Sequence, residues 1–176
     1  MPNHLVTTLL GPEQPRLLPE VLRLTTAYNC NLDEVRITTL NDIVVINLLI
    51  NGSWDSIARL ETALPAASEK LGMGLLLRRS EEVAASRPRM PYAVEVVTPD
   101  AEGIVHRLAS FFAERDIRVY ELTASVHPSL HTGSPMCIVN FTIHVPTDTY
   151  IGLLRSEFME FCDANNYDAV LEPSKL

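Results

Sequence analysis

One pattern occurs twice in this chain. Residues 5–40 and residues 92–126 each read as an apolar strand, a turn with proline and acidic residues, an amphipathic helix, a short polar turn and a second strand. The copies align without a gap at an offset of 87 positions. The matched pairs include Leu17 with Ile104, Leu24 with Phe111, Cys30 with Ile117, Leu32 with Val119 and Glu34 with Glu121. Such self-similarity indicates a duplicated module, so both halves are expected to share one fold.

The first copy predicts the element order β-α-β-β-α-β. Strands are expected at 5–10, 34–40, 43–50 and 73–79, with Asn41 and Asp42 as a tight hairpin turn. Arg16 and Ser53 are the expected N-caps, which puts Pro19 at the third helical position, where its missing N–H costs no helical hydrogen bond. Pro65 predicts a break in the second helix and a short extra helix through Leu71. The residues expected to face the core are Leu18, Val21, Leu22, Thr25 and Tyr28, then Trp54, Ile57, Leu60 and Leu64.

The second copy repeats this order with one longer hairpin. Strands are expected at 92–98, 119–127, 136–145 and 167–171, and HPSLHTGSP replaces the tight turn. Thr147 is the expected cap of the last helix. Core positions are expected at Ile104, Leu108, Phe111 and Phe112, at Cys137, Val139, Phe141, Ile143 and Val145, and at Tyr150, Leu154, Phe158 and Phe161.

These orders predict an α+β fold of two tandem ferredoxin-like βαββαβ domains. In each, two helices cover one face of a four-stranded antiparallel sheet. We predict domains at 1–79 and 92–176, joined by the polar linker SEEVAASRPRMP at 80–91. The uncovered sheet faces and edges predict a homo-oligomer, although pairing of the two copies within one chain would satisfy the same need.

Composition narrows the classes of function. The net charge is −8, with nine Lys and Arg against ten Asp and Glu up to Pro91 and five against twelve beyond it. An acidic surface repels a phosphate backbone, so direct nucleic-acid binding is not expected. The longest apolar run, residues 43–50, is too short to span a membrane, and no secretory signal is recognised, which predicts a cytoplasmic protein. Cys30, Cys137 and Cys162 are expected to be buried, reduced thiols.

No pattern in the chain predicts catalysis or a metal site. Asp33 with Glu34 are adjacent, Asp100 with Glu102 lie on a turn, and neither arrangement requires an acid-base role. His127 and His131 are expected to be exposed loop residues, because Pro128 disfavours the helix that metal chelation at this spacing needs. Neither a phosphate-binding glycine loop nor a set of strand aromatics for stacking RNA bases is found. We therefore expect no enzyme activity and no cofactor.

The turns GPEQP and TPDAEGI, each followed after the helix by a short turn into a strand, resemble the Gly-x-Asp-x-Pro-Gly-Ile turn and second turn of the ACT domain family. The first copy departs from this pattern at Arg16, where glycine is typical, and the second copy at Thr98 and Glu102. The resemblance covers nearly the whole chain and implies two tandem ACT domains.

The resemblance also implies a non-catalytic regulator. It would sense an amino acid, with glycine the expected effector, and act by contact with a transcription-factor protein. The implied effector positions are Gly11, Glu13, Gln14, Pro15 and Arg16 with Asn31 and Leu32, and Asp100, Ala101, Glu102, Gly103 and Ile104 with Arg118 and Val119. A free helix N-terminus attracts a carboxylate, which suits such positions. Two alternatives stay open: the loops are ordinary capped turns, or the pair is a ligand-independent oligomerisation or adaptor module.

Overall fold

A computed structural model describes residues 3–80 and 88–174. Unit 1, within residues 1–84, contains β1 (Asn3–Pro12), α1 (Leu17–Ala27), β2 (Asn31–Leu40), β3 (Ile43–Gly52), α2 (Trp54–Lys70) and β4 (Gly74–Ser80). Unit 2, within residues 85–176, contains β5 (Arg89–Pro99), α3 (Ile104–Ala113), β6 (Arg118–Pro128), β7 (Pro135–Pro146), α4 (Ile151–Ala164) and β8 (Asp168–Pro173).

Each unit has the same sheet topology. The strand order is β2-β3-β1-β4 in unit 1 and β6-β7-β5-β8 in unit 2, and all neighbouring strands are antiparallel. Alternate residues of the two central strands are buried under the helices. In β3 these residues are Val44, Ile46, Leu48 and Ile50. The predicted α+β fold of two ferredoxin-like βαββαβ domains is therefore confirmed.

The duplication extends to irregular features of the backbone. Register shifts interrupt β2 between Leu32 and Glu34 and β6 between Val119 and Glu121, which are matched positions of the repeat. Each helix also ends at a left-handed residue, namely Asn29, Gly72, Asp116 and Asn166. The residue after it donates its N–H to the carbonyl oxygen five residues back, as Cys30 does to Thr25 at 2.9 Å, and this Schellman geometry satisfies the last carbonyls of the helix.

The two cores differ in chemistry. The core of unit 1 is mostly aliphatic and includes Leu5, Leu9, Ile46 and Ile50. Unit 2 buries a cluster of phenylalanines in which the ring centroids of Phe111, Phe112, Phe141 and Phe158 lie 5.3–5.5 Å from their neighbours. The predicted inward residues of α3 and β7 are all buried, and so are the three cysteines, which are unpaired thiols.

Two predictions about α2 are wrong or partly wrong. The helix is continuous through Pro65, and the expected break and extra helix do not form. Proline removes one helical hydrogen bond, but Ile57, Leu60 and Leu64 are buried before it and Ser68 after it, so packing holds the helix on both sides. Ser53 caps α2 as predicted, accepting from the Ser56 N–H at 3.1 Å. Trp54, in contrast, is 62% exposed, and the Arg79 guanidinium lies 5.4 Å from its ring centre.

Three further predictions need correction. Arg16 precedes α1 as expected, but the buried stripe is Leu17, Val21 and Thr25, and Leu18 and Leu22 are only half-buried because they lie about 100° round the helix. Thr147 does not cap α4, which begins after Tyr150 without a side-chain cap. Tyr150, predicted to face the core, is 78% exposed because it precedes the helix.

Strands β4 and β5 each extend into the segment predicted as a linker, residues 80–91. β4 includes Ser80 and β5 begins at Arg89, because both segments continue the antiparallel ladder of their sheet. The middle of that linker, residues 81–87, lies outside the described residues.

Candidate functional site

The β1–α1 loop of unit 1 is held by backbone contacts. Gly11 is buried against the turn before β4, where an added Cβ would lie 2.5 Å from the Met73 sulfur and 3.1 Å from the Gly72 oxygen. The Glu13 N–H donates to the Asp42 oxygen at 3.2 Å, and the Gln14 side chain donates to the Leu71 oxygen at 2.8 Å. Pro15 and Arg16 are exposed. Glycine is required here because the loop lies directly on the neighbouring turn.

The β5–α3 loop of unit 2 borders a pocket of about 300 Å³. Gly103 precedes α3 in the left-handed conformation with φ 77° and provides no side-chain cap. The Asp100 N–H donates to the Pro135 oxygen at 3.0 Å, which fixes the loop to the start of β7. The pocket wall contains four of the predicted positions, Asp100, Ala101, Gly103 and Ile104. The pocket thus combines a carboxylate with the N-terminal end of a helix.

The electrostatics of this pocket are simple. Burial raises the pKa of the Cys137 thiol, and the nearby Asp100 carboxylate raises it further. The thiol on the wall is therefore neutral at physiological pH, and Asp100 supplies negative charge beside the positive end of the α3 dipole. A zwitterion matches this pair of opposite charges.

The other predicted positions lie at the far end of each sheet. Gly11 pairs with Val44, whereas Asn31 pairs with Asn51, seven residues further along β3 and so roughly 24 Å away at strand spacing. Arg118 and Val119 are similarly distant from the β5–α3 loop, since Arg118 pairs with His144 and Pro99 with Met136. Within one unit, these residues therefore do not reach the β1–α1 or β5–α3 loop. The reason is that α1 and α3 each cross the full length of their sheet.

Sequence reasoning missed part of the pocket in unit 2. His106, Ser125 and Val126 line it, and Glu102 does not. Position in the repeat could not identify Ser125 and Val126, because they lie on β6, and only the strand register brings them beside the β5–α3 loop.

Two of the residues weighed for catalysis, Asp33 and Glu34, have structural partners. Asp33 projects from the bulge of β2 and bonds His4 at 3.1 Å and the Asn51 amide, while Glu34 pairs with Arg36. His127 contacts the Ser125 hydroxyl at 3.0 Å. Across residues 3–80 and 88–174, no group of three or more His, Cys, Asp or Glu side chains is placed to hold a metal ion. Nor does any helix in these ranges have the length and apolar character to cross a membrane.

The topology of both units defines a pair of ferredoxin-like βαββαβ domains. The family model of the ACT domain matches residues 3–77, and this segment belongs to that family. Unit 2 repeats its topology strand for strand.

The chain as a whole resembles a named regulator. It is 24% identical over 166 residues to the glycine cleavage system transcriptional repressor of Escherichia coli K12, covering 93% of this chain and 86% of the relative. The Shigella flexneri protein of the same name matches equally. These relatives are regulators by name, which supports the prediction of a regulatory, non-catalytic role.

Solved structures agree with this resemblance. A crystal structure provisionally described as a glycine cleavage system transcriptional repressor superposes with a TM-score of 0.76 at 26% identity, covering 100% of this chain and 99% of that one. A protein of unknown function from Galdieria sulphuraria superposes with a TM-score of 0.79 at 19% identity over 99% of this chain and 100% of its own, which concerns the fold alone.

Proposed function

We propose that this chain is a non-catalytic transcriptional repressor that responds to an amino acid, glycine first, and acts by binding a transcription factor. The observation that carries this proposal is the resemblance to the repressor of Escherichia coli over 93% of the chain. A net charge of −8 supports action through a protein partner, because a DNA-reading surface needs positive charge. The predicted cytoplasmic location fits this role.

We place the effector first at the β5–α3 pocket of unit 2. The N–H groups at the start of α3 would donate hydrogen bonds to the carboxylate, because a helix N-terminus favours an anion. The Asp100 carboxylate, which also lines the pocket, would hold the ammonium group. The β1–α1 loop, with Gly11 and Arg16, is the matching position in unit 1. The distant residues Asn31, Leu32, Arg118 and Val119 would join either site only from another ACT unit.

A calorimetric titration with glycine and a panel of amino acids tests the sensing step. We expect glycine binding that Asp100→Asn weakens about tenfold or more, since one charge-assisted hydrogen bond is lost. Asp148→Asn, a change of the same type on a residue that does not line this pocket, is the control and should bind as the wild type does. Absence of heat with every amino acid would leave the ligand-independent adaptor as the better account.

A mobility-shift assay tests the repression step. Promoter DNA of a glycine cleavage operon is incubated with this protein alone, with its cognate activator alone, and with both. We expect no shift with the protein alone and an altered complex with both. A direct, sequence-specific shift by the protein alone would contradict the proposed mode of action.

A further inference from the structure

The helical layers of the two units contain grooves of similar size and different chemistry. The groove between α1 and α2 of unit 1 measures about 650 Å³, and the groove between α3 and α4 of unit 2 about 660 Å³. Because the two units are copies of one module, each groove is a reference for the other. We call them the α1–α2 groove and the α3–α4 groove.

The α1–α2 groove is basic and has a floor of small residues. Arg16, Arg23 and Lys70 line it, with Glu20 as its one acidic residue. Ala63, Ala66 and Ala67, at helical spacing on α2, form the floor. Small side chains allow another helix to approach closely, since nothing projects between the two backbones. The positive charge stands out in a protein whose net charge is −8.

The cations of this groove are available to a partner. Arg23 bonds Glu20 at 3.0 Å, but these side chains are 65% and 45% exposed, and such a surface pair is weak. Among the described residues, the side chains of Arg16 and Lys70 have no hydrogen-bond or ion-pair partner.

The α3–α4 groove presents the contrary arrangement. Its acidic residues are Glu114, Glu157 and Glu160. Its arginines are engaged within the unit. Arg115 bonds Glu157 at 2.8 Å and lies 3.8 Å from the Phe111 ring centre, and Arg107 donates to the Tyr167 hydroxyl at 2.8 Å. Phe161 of α4 and Phe111 of α3, which matches Leu24 in the repeat, line this groove, whereas α2 contributes alanines to the groove of unit 1. The two grooves therefore differ in charge and in the size of the side chains that line them.

We propose that the α1–α2 groove binds an acidic amphipathic helix of a protein partner. Helix α1 has 11 residues and is about 16 Å long, which matches three turns of a partner helix. Arg16 and Arg23 are seven residues apart, so they face carboxylates about two turns apart on that helix. The apolar side of the partner covers the alanine floor and Leu24, and the carboxylates reach the cationic rim.

This inference rests on the proposed function and deepens it, because it gives the surface and chemistry through which a transcription factor is bound. An RNA ligand is disfavoured by the charge of the whole chain, which repels a phosphate backbone. A small anion would leave the alanine floor uncovered. A helix with both acidic and apolar sides satisfies both parts of the groove.

The test uses the full chain and a fluorescein-labelled helical peptide of about 14 residues, with glutamates seven positions apart and an alanine and leucine stripe. We expect saturable binding by fluorescence anisotropy, and we expect Arg23→Glu with Lys70→Glu to weaken it roughly tenfold by charge repulsion at the rim. Arg16 is left intact because it belongs to the predicted effector loop. The control, Arg59→Glu with Arg78→Glu, makes the same change of charge on unit 1 outside the groove and should bind as the wild type does.

Several results would overturn the proposal. The proposal fails if the acidic peptide does not bind, or if both double variants lose the same affinity for it. It also fails if a peptide with lysines in place of the glutamates, or an RNA oligonucleotide of the same charge, binds as tightly as the acidic peptide. Circular dichroism checks that both double variants keep the wild-type melting temperature, as expected for exposed side chains.

A repression assay separates this inference from the proposed function. If the wild type represses a glycine cleavage reporter and the groove variant represses equally, the groove proposal fails and the proposed function stands. If the wild type does not repress but the peptide binds the groove with the stated specificity, the proposed function fails and the groove remains a helix-binding surface.

Discussion

Thr7 and Val94 occupy the same position in the two copies, 87 residues apart, and both are buried under the helices. The Thr7 hydroxyl is fully buried and has no hydrogen-bond partner within residues 3–80 and 88–174, whereas the matched valine has no polar atom to satisfy. A buried hydroxyl without a partner loses its hydration and gains nothing in return. The valine of the second copy thus indicates that an isosteric apolar residue at position 7 would stabilise unit 1.

We expect Thr7→Val to raise the unfolding free energy of unit 1 by about 1 kcal/mol, because the desolvation cost of the hydroxyl is removed. Urea denaturation followed by circular dichroism measures this. Thr25→Val is the matched control: Thr25 is also buried, but its hydroxyl donates to the Leu22 oxygen at 2.7 Å, so no gain is expected. A destabilised Thr7→Val protein would indicate that water reaches the hydroxyl.

Cys162 gives a prediction about alkaline pH. Burial, and secondarily the charge of Asp163, raise the pKa of this thiol from 9.0 to about 12. The folded chain therefore keeps a proton that the unfolded chain loses, and stability present below pH 9 is lost as pH rises toward the folded pKa. We expect the unfolding free energy of the wild type to fall, relative to Cys162→Ala, by about 1.4 kcal/mol per pH unit in this window.

Urea titrations of both proteins at several pH values between 9 and 11 provide the measurement. Tyrosine and lysine titrations are common to the two chains and cancel in the difference. If the unfolding free energies of the two proteins changed equally with pH, the thiol would ionise as readily in the folded chain as in the unfolded one.

At the scale of elements, the sequence predicts regular structure well where hydrophobic period and duplication agree. The inward residues Ile104, Leu108, Phe111 and Phe112 of α3 are all buried, because the apolar stripe there is unambiguous. In α1 the predicted apolar stripe includes Leu18 and Leu22, one residue after the buried Leu17 and Val21. Leucines occur at positions 17, 18, 22 and 24, and periodicity alone cannot choose among them.

The candidate site was less predictable for a topological reason. Turn sequences identified the β5–α3 loop, but the opposite wall of its pocket comes from β6, whose register depends on the bulge between Val119 and Glu121. A bulge changes which residue faces which neighbour, and local sequence carries only a weak signal for it. The same limit explains why Asn31 and Arg118 were grouped with loops that lie at the other end of the sheet.

The continuous helix α2 provides a test at this scale. Pro65 lies well inside it, so one helical hydrogen bond to the Glu61 oxygen is absent. We expect Pro65→Ala to stabilise unit 1 by about 1–3 kcal/mol, because the bond is restored and the clash of the ring is removed. Thermal or urea unfolding measures the gain.

Pro19→Ala is the natural control for that experiment. Pro19 lies in the first turn of α1, where an N–H has no helical acceptor, so this change should be within about 0.5 kcal/mol of neutral. If both substitutions had the same effect, the gain at Pro65 would reflect the flexibility of the unfolded chain and not the helix.

At the scale of the molecule, each unit has a complete sheet and a core of its own. Among the described residues, nineteen buried residues form the core cluster of unit 2 and thirteen that of unit 1, and only unit 2 has the phenylalanine cluster. Aromatic side chains bury more apolar area per residue and add favourable ring contacts. Unit 2 is therefore the more stable of the two by this measure.

This difference predicts that the chain does not unfold in a single step. We expect residues 1–84 and residues 85–176 to fold when produced separately, and unit 1 to unfold at the lower urea concentration in the full chain. Trp54, the single tryptophan, reports unit 1 by fluorescence, while circular dichroism reports both units. Thr7→Val should then move the fluorescence transition and leave the later one in place. Coincident transitions by both probes, shifted together by Thr7→Val, would mean that the two units unfold as one cooperative body.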